Sequence, residues 1–249
     1  MKSSATQPSN AQERDDKMFF DPMYLLMVAP AILLGMWAQW RVHSAYSAAS
    51  EIVPASGLSG AEAAAVILRH SGVPGVEVDQ TDGFLSDHYD PRAKVLRLSP
   101  DVYNGRTLAA LGIAAHEAGH ALQDGERYPL LAMRNGLVPL ASVGGNLSWI
   151  LLILGFVLHS FNLVLVGIAA FSMTVIFQLI NLPVEFDASA RAKRLLPQLG
   201  LITAEEKKPV ARVLSAAALT YVAATLMSAL QLLYFLMQAG LLGGRRRND

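Results

Sequence analysis

Four long uncharged stretches dominate the pattern of apolar and polar residues along this chain. Residues 23–40 contain no charged side chain, and this length is close to the minimum for crossing a hydrocarbon layer of about 30 Å. Residues 135–184 contain no Asp, Glu, Lys or Arg, which suits two helices joined by a tight turn at 159–162. Residues 213–242 form the last such stretch. The pattern predicts a mainly α-helical integral membrane protein with about four transmembrane helices.

The polar segments between these stretches divide the chain into regions. The first transmembrane helix could instead be a signal peptide, but Pro30 interrupts its long apolar run and no clear cleavage site follows, which favours an uncleaved anchor. The division that we predict is a disordered tail over 1–17, a transmembrane helix over 18–41, a small α+β domain over 42–134, a transmembrane hairpin over 135–184, a short external segment over 185–212, a fourth transmembrane helix over 213–242 and a basic tail over 243–249.

Within the α+β domain, local patterns predict several short elements. Ser59 and Glu62 have the spacing of a capping box at the start of an alanine-rich helix. Apolar and polar residues alternate over 76–80 and 95–99, which is typical of strands. Residues 83–91 are rich in turn formers, and we predict that they form a loop between the two strands.

Composition and charge narrow the classes of function. Hydrophobic residues make up 53% of the 249 residues and charged residues only 16%, which is too apolar for an ordinary soluble domain. The formal net charge is zero, which gives no support to nucleic-acid binding. The chain has no cysteine, so a metal would have to be held by histidine and carboxylate side chains.

The motif His116-Glu117-Ala118-Gly119-His120 lies in an apolar, alanine-rich run that is predicted to be helical. Two histidines four residues apart project from one face of a helix, where both imidazoles can reach one metal ion. Neutral imidazole suits Zn²⁺, and Glu117 would take a proton from a water beside the metal. Gly119 would leave room near a bound metal. The motif is typical of zinc hydrolases, most often peptidases, and a helix whose histidines merely pack is the alternative.

A zinc site that keeps one position for water needs a third protein ligand. If 135–184 forms a hairpin, Glu185 emerges on the same side of the membrane as the motif helix. A carboxylate directly after an apolar stretch carries a desolvation cost that a metal would offset. Glu185 is therefore our candidate, and an ordinary charged residue at the end of a helix is the alternative.

Several segments resemble known membrane peptidases. Residues 181–189 are similar to the glutamate motif of gluzincin-type peptidases such as HtpX and the CAAX prenyl proteases. Together with 86–92, 96–99 and 116–123, they resemble more closely the YugP-like family of neutral zinc metallopeptidases. The resemblance extends from the first predicted span to the last, and it implies that the α+β domain is a zincin-like catalytic domain. It also implies one Zn²⁺ per chain with three protein ligands, His116, His120 and Glu185.

One position departs from the gluzincin pattern. The aspartate four residues after the ligand glutamate, which orients a ligand histidine in those families, is replaced here by Ser189. Asp187, two residues after Glu185, would point nearly the opposite way on a helix. Either Ser189 supplies a weaker hydrogen bond to the histidine, or another carboxylate does so, with Asp124 as a candidate.

The predicted loop at 83–91 contains further candidates for catalysis. His88 is the preferred one, because a histidine near zinc could stabilise the oxyanion that forms during attack on a peptide carbonyl. Tyr89 could act in the same way, and the alternative is that both residues belong to a tight turn capped by aspartates. The strand at 95–99 could pair with an extended substrate, like the edge strand of many zinc peptidases, or be purely structural.

Together these features predict a multi-pass protein of the cell (inner) membrane that acts as a zinc-dependent endopeptidase with Glu117 as general base. Its partners would be the lipid bilayer and a membrane-associated protein or peptide substrate. The distribution of Lys and Arg favours a cytoplasmic active site by a small margin. The main alternative is a non-catalytic, metal-stabilised membrane scaffold or chaperone. A divalent-metal transporter is disfavoured because no carboxylate lies in the middle of an apolar stretch.

Overall fold

The computed structural model describes residues 21–83 and 86–242. The tails predicted at 1–17 and 243–249 lie outside the described residues. The helices are α1 Pro22–Ser50, α2 Gly60–His70, α3 Pro100–Tyr103, α4 Leu108–Gly125, α5 Pro129–Val157, α6 Phe161–Gln198 and α7 Lys207–Gln238. The strands are β1 Glu77–Gln80, β2 His88–Asp90 and β3 Val95–Leu98.

Four of these helices, α1, α5, α6 and α7, are long and apolar enough to cross a membrane. The prediction of a mainly helical chain with four such helices is confirmed. α6 has 38 residues, and at about 1.5 Å per residue it is roughly 57 Å long, well beyond the ~30 Å of the hydrocarbon layer. A single continuous helix can therefore both cross the membrane and extend outside it.

The helices run across most of the boundaries that we predicted from charge. α1 continues past residue 41 to Ser50, and α6 continues past residue 184 to Gln198. The hairpin between α5 and α6 turns at residues 158–160, where His159 has a φ of 53°. The limits of the predicted regions thus do not coincide with breaks in secondary structure, and the level of the membrane surface stays a prediction.

The three strands form one sheet in the order β1-β3-β2. β1 is parallel to β3, with Glu77 opposite Val95, and β2 is antiparallel to β3, with His88 opposite Arg97. Our prediction of a plain loop over 83–91 is wrong at β2, because this short segment gains backbone pairing from β3. β3 has neighbours on both sides and is not an edge strand open to a substrate, as we had suggested. The two edge strands of the sheet are β1 and β2.

Helix α4 lies at the centre of the hydrophobic core outside the apolar spans. Thirteen of its 18 residues are buried, and it packs against α2, α6 and α7. α4 and α6 approach closely at Gly119, where an added Cβ would lie 2.7 Å from the backbone oxygen of Ala188. Gly119 therefore makes room for the backbone of helix α6, and the expectation that it also leaves room near a bound metal stays a prediction. The many alanines of α4 act in the same way, since small side chains let helices approach each other closely.

Candidate metal centre

The two motif histidines and Glu185 meet where α4 crosses α6. His116 and His120 lie one turn apart on α4, with ring centroids 4.8 Å apart. Glu185 on α6 is only 2% exposed and faces both rings. One ligand atom from each of the three residues can be chosen so that all lie within 4.8 Å of one another. The structure thus brings together the three residues that the sequence selected as metal ligands.

The spacing of these atoms fits a zinc ion. Glu185 Oε2 lies 3.2 Å from His116 Nε2 and 3.6 Å from His120 Nε2. Ligand atoms that share a tetrahedral zinc at bond lengths of about 2.1 Å are separated by about 3.4 Å. Two imidazole nitrogens and one carboxylate oxygen are also among the ligand sets that catalytic zinc sites use. The residues present therefore fit the metal in chemistry, and the two separations between Glu185 and the histidines fit it in spacing.

The far side of each histidine ring is held by a hydrogen bond. His116 Nδ1 lies 3.1 Å from Ser189 Oγ, and His120 Nδ1 lies 3.0 Å from Gln123 Oε1. If Nδ1 carries the proton and donates in both pairs, Nε2 of each ring is left free toward Glu185. Ser189 is thus the residue that contacts His116 at the position where gluzincins have aspartate. The serine alternative that we left open agrees with this geometry.

Gln123 extends this network from α4 to α6. It is fully buried, and its Nε2 donates to the backbone oxygen of Val184 at 2.8 Å and to Asp187 Oδ2 at 2.8 Å. Arg191 Nε also donates to Asp187 Oδ2, at 2.6 Å. Asp187 is therefore connected to His120 through Gln123. Sequence reasoning missed Gln123, because nothing in the sequence marks a glutamine three residues after His120 as buried against α6.

The other candidate carboxylate, Asp124, contacts neither histidine in the hydrogen bonds of the described residues. Its Oδ2 accepts a hydrogen bond from the Tyr89 hydroxyl at 2.6 Å and a close contact from the Lys94 ammonium. Asp124 therefore ties α4 to the sheet. The suggestion that it orients a ligand histidine is wrong.

Glu117 is half-buried and lines a cavity of about 120 Å³. Both histidines and Glu185 line the same cavity. Burial raises the pKa of the Glu117 carboxyl, and positive charge on His116 and His120 opposes that rise. A carboxylate with a raised pKa accepts a proton more readily, which suits a general base. The cavity thus combines a metal-binding triad with a proton acceptor.

Comparison with known proteins agrees with this geometry. A family model described as "Putative neutral zinc metallopeptidase" matches residues 24–240. The chain belongs to this family. It is 44% identical over 226 residues to "Putative membrane protease YugP" of Bacillus subtilis (strain 168), an alignment that covers 91% of this chain and 100% of that protein. No solved structure matches the chain significantly. The resemblance to YugP-like zinc metallopeptidases is confirmed, and the protein is a membrane protein.

His88 and Tyr89, the two further candidates for catalysis, also line the cavity at the metal centre. His88 is exposed, and its Nδ1 lies 2.7 Å from the backbone oxygen of Ser86. Tyr89 is 8% exposed, and burial, together with the hydrogen bond to Asp124, raises its pKa. The Tyr89 hydroxyl is already engaged by Asp124, whereas His88 Nε2 has no hydrogen bond to any of the described residues. A catalytic role for His88 stays a prediction.

Two cavity residues from the long helices were missed by sequence reasoning. Arg134 Nη2, on α5, lies 3.6 Å from Glu185 Oε1, and Arg134 Nε donates to Asn181 Oδ1 at 3.1 Å. Tyr221 of α7 lines the same cavity. In the sequence, Arg134 stands directly before an uncharged stretch and is explained as a membrane-flanking charge, while Tyr221 lies within one. Only the packing of α5 and α7 beside α4 shows that both residues face the metal centre.

Proposed function

We propose that this protein is a membrane-embedded, zinc-dependent endopeptidase. The observation that carries the proposal is the convergence of His116, His120 and Glu185 with Glu117 on one cavity. The family description and the relative named as a membrane protease support the same activity. A scaffold or chaperone would need the metal ligands for stability, but it would have no use for a half-buried carboxylate beside them.

In the proposed mechanism, His116, His120 and Glu185 would hold one Zn²⁺. When bound, the metal supplies Lewis-acid chemistry, which makes water more acidic and a peptide carbonyl more electrophilic. Glu117 accepts a proton from the water as its oxygen attacks the carbonyl carbon, and then delivers that proton to the amide nitrogen as the C–N bond breaks. His88, on the cavity wall, would donate a hydrogen bond from Nε2 to the carbonyl oxygen as negative charge develops there. This role requires the imidazolium form, because Nδ1 already donates to the backbone oxygen of Ser86.

We further propose that the substrate is a membrane-associated protein or peptide and that it binds in an extended form. β2 forms the outer edge of the sheet beside the cavity, and its backbone could pair with such a segment. The protein would be a multi-pass component of the cell (inner) membrane with its active site on the cytoplasmic side. The basis for that orientation is the larger number of Lys and Arg residues near the spans on the side of the metal centre.

The test is proteolysis of an unstructured protein such as casein by the detergent-purified chain, with zinc content measured on every sample. Glu117→Gln should keep its zinc and lose at least about 100-fold in rate, since it removes the proton acceptor alone. Glu77→Gln, a matched change on the exposed strand β1, should behave like the wild type. Equal rates for Glu117→Gln and the wild type would refute the mechanism. Zinc binding without cleavage by the wild type, on casein or on membrane-protein fragments, would favour the scaffold.

A further inference from the structure

A second cavity lies away from the metal centre, between α1 and the beginning of α7. This groove has a volume of about 250 Å³. Trp40, Arg41 and Ala48 line it from α1, Ile52 lines it from the segment that follows, and Arg212 lines it from α7. Trp40 is 65% exposed, so the groove is open at the outer surface of α1 and α7. The groove therefore combines an apolar floor with two guanidinium groups.

Arg41 and Arg212 are expected to lie at the same depth in the membrane. Arg41 is the first charged residue after the uncharged stretch at 23–40, and Arg212 is the last one before the uncharged stretch at 213–242. α1 and α7 pack against each other along their length. Because both arginines line one groove between these helices, they stand together where the hydrocarbon ends and the headgroup layer begins. Trp40 adds an aromatic ring at the same level, where tryptophan is enriched in membrane proteins.

Within the described part of the chain, no carboxylate pairs with either of these two arginines. Among the described residues neither guanidinium forms an ion pair, and the recorded neighbour of Arg41 is the ring of Trp37, 5.2 Å from the Arg41 Cζ atom. Two glutamates, Glu205 and Glu206, directly precede α7, and neither lines the groove. Glu206 accepts hydrogen bonds from the backbone amides of Ala55 and Thr203. Among the described residues, those that line the groove thus carry two positive charges and no carboxylate.

We propose that this groove binds the headgroup of an anionic phospholipid, with the phosphate held by Arg41 and Arg212 and an acyl chain extending past Trp40 along the uncharged stretch of α1 into the hydrocarbon. Guanidinium is the side-chain group best suited to phosphate, because its planar donors match two phosphate oxygens at once. Arginines that only faced the headgroup layer would attract anionic lipids without using the groove. The volume beside Ala48 therefore distinguishes a binding site from a general electrostatic attraction.

The experiment measures which lipid stays with the full-length protein after purification. The protein is equilibrated with mixed micelles that contain equal amounts of phosphatidylglycerol and phosphatidylcholine, repurified, and its bound lipid is quantified by mass spectrometry. The wild type should be enriched in phosphatidylglycerol. Each arginine near an anionic headgroup contributes roughly five-fold in binding, so Arg41→Gln with Arg212→Gln should lower the enrichment by about 25-fold. Lys208→Gln removes the same charge on the same side, outside the groove, and should leave the enrichment unchanged.

Two further variants keep the test decisive if the double glutamine variant is unstable. Arg41→Lys with Arg212→Lys preserves the charge and should lose part of the enrichment, because lysine lacks the planar fork of donors. Ala48→Phe fills the groove without changing charge and should lose most of it, while circular dichroism shows that the fold is kept. The proposal fails if Ala48→Phe, or the double glutamine variant, retains the wild-type enrichment. It also fails if inorganic phosphate at matched ionic strength displaces the lipid completely, since the site would then recognise a free anion.

Discussion

The buried side chain of Gln123 offers the sharpest test of how the metal centre is supported. Gln123→Leu keeps a side chain of similar size and removes the amide that contacts His120, Val184 and Asp187. Two of the three lost hydrogen bonds join neutral groups, at about 1 kcal/mol each, and the third joins a carboxylate, at about 1.5–3 kcal/mol. The free energy of unfolding of the metal-free protein should therefore fall by about 3–5 kcal/mol.

The same change should weaken zinc binding, because His120 loses the acceptor that fixes its ring. Removing such an outer partner of a ligand histidine costs about 10–100-fold in metal affinity. Ser189→Ala provides a graded comparison, since it removes a single hydrogen bond, 3.1 Å long, to His116. We expect Ser189→Ala to lose about 10-fold in zinc affinity and only about 1 kcal/mol in stability.

Zinc affinity is measured by competition with a chromophoric chelator on the detergent-purified protein, and stability by thermal unfolding of the metal-free form. Gln231→Leu is the matched control, because its amide donates to the Tyr24 hydroxyl at 3.0 Å, between α7 and α1 and away from the metal centre. This control should lose some stability and no zinc affinity. If Gln123→Leu and Gln231→Leu bind zinc equally tightly, the proposed support of His120 by Gln123 is wrong.

Two further predictions concern helix packing and pH. Gly119→Ala should destabilise the protein by about 1–3 kcal/mol and weaken zinc binding, because its Cβ would clash with the backbone of Ala188. Gly136→Ala, where an added Cβ meets nothing within 4 Å, should instead stabilise by about 0.5–1 kcal/mol in thermal unfolding. The hydrogen bond from Arg97 lowers the pKa of Asp90 to about 2, below its unfolded value of about 3.9. The stabilisation by Asp90 is therefore present above pH ~4 and lost toward pH ~2, so the difference in melting temperature between the wild type and Asp90→Asn should shrink over that range.

Local sequence patterns predicted the parts of the fold that depend on neighbouring residues. The capping box predicted at Ser59 and Glu62 is present at the start of α2, and the two predicted strands correspond to β1 and β3 within two residues. β2 has three residues next to turn formers, and what makes it a strand is its pairing with β3 rather than any periodicity of its own. A short strand of this kind cannot be distinguished from a loop by local pattern alone.

The residues of the metal centre also divide into those that a local sequence pattern can find and those that depend on how the helices pack. His116, Glu117 and His120 stand out because one helix places all three close together. Glu185 could be selected because membrane topology restricts the side on which it emerges. Gln123 and Tyr221 could not, since their roles depend on the angle at which α6 and α7 cross α4, and no spacing within the sequence encodes that angle.

The geometry of the metal centre is therefore set by the packing of α6, a helix long enough to cross the membrane. Glu185 and Val184 lie on the same continuous helix as the third apolar span, and α4 meets that helix at Gly119 through direct backbone contact. The hydrogen bond from Gln123 to Val184 fixes the rotation of α6 relative to the two histidines. A change in the tilt of α6 would separate Glu185 from the His116 and His120 rings. Zinc affinity should consequently depend on the membrane around the protein, which a comparison of thick and thin bilayers would detect.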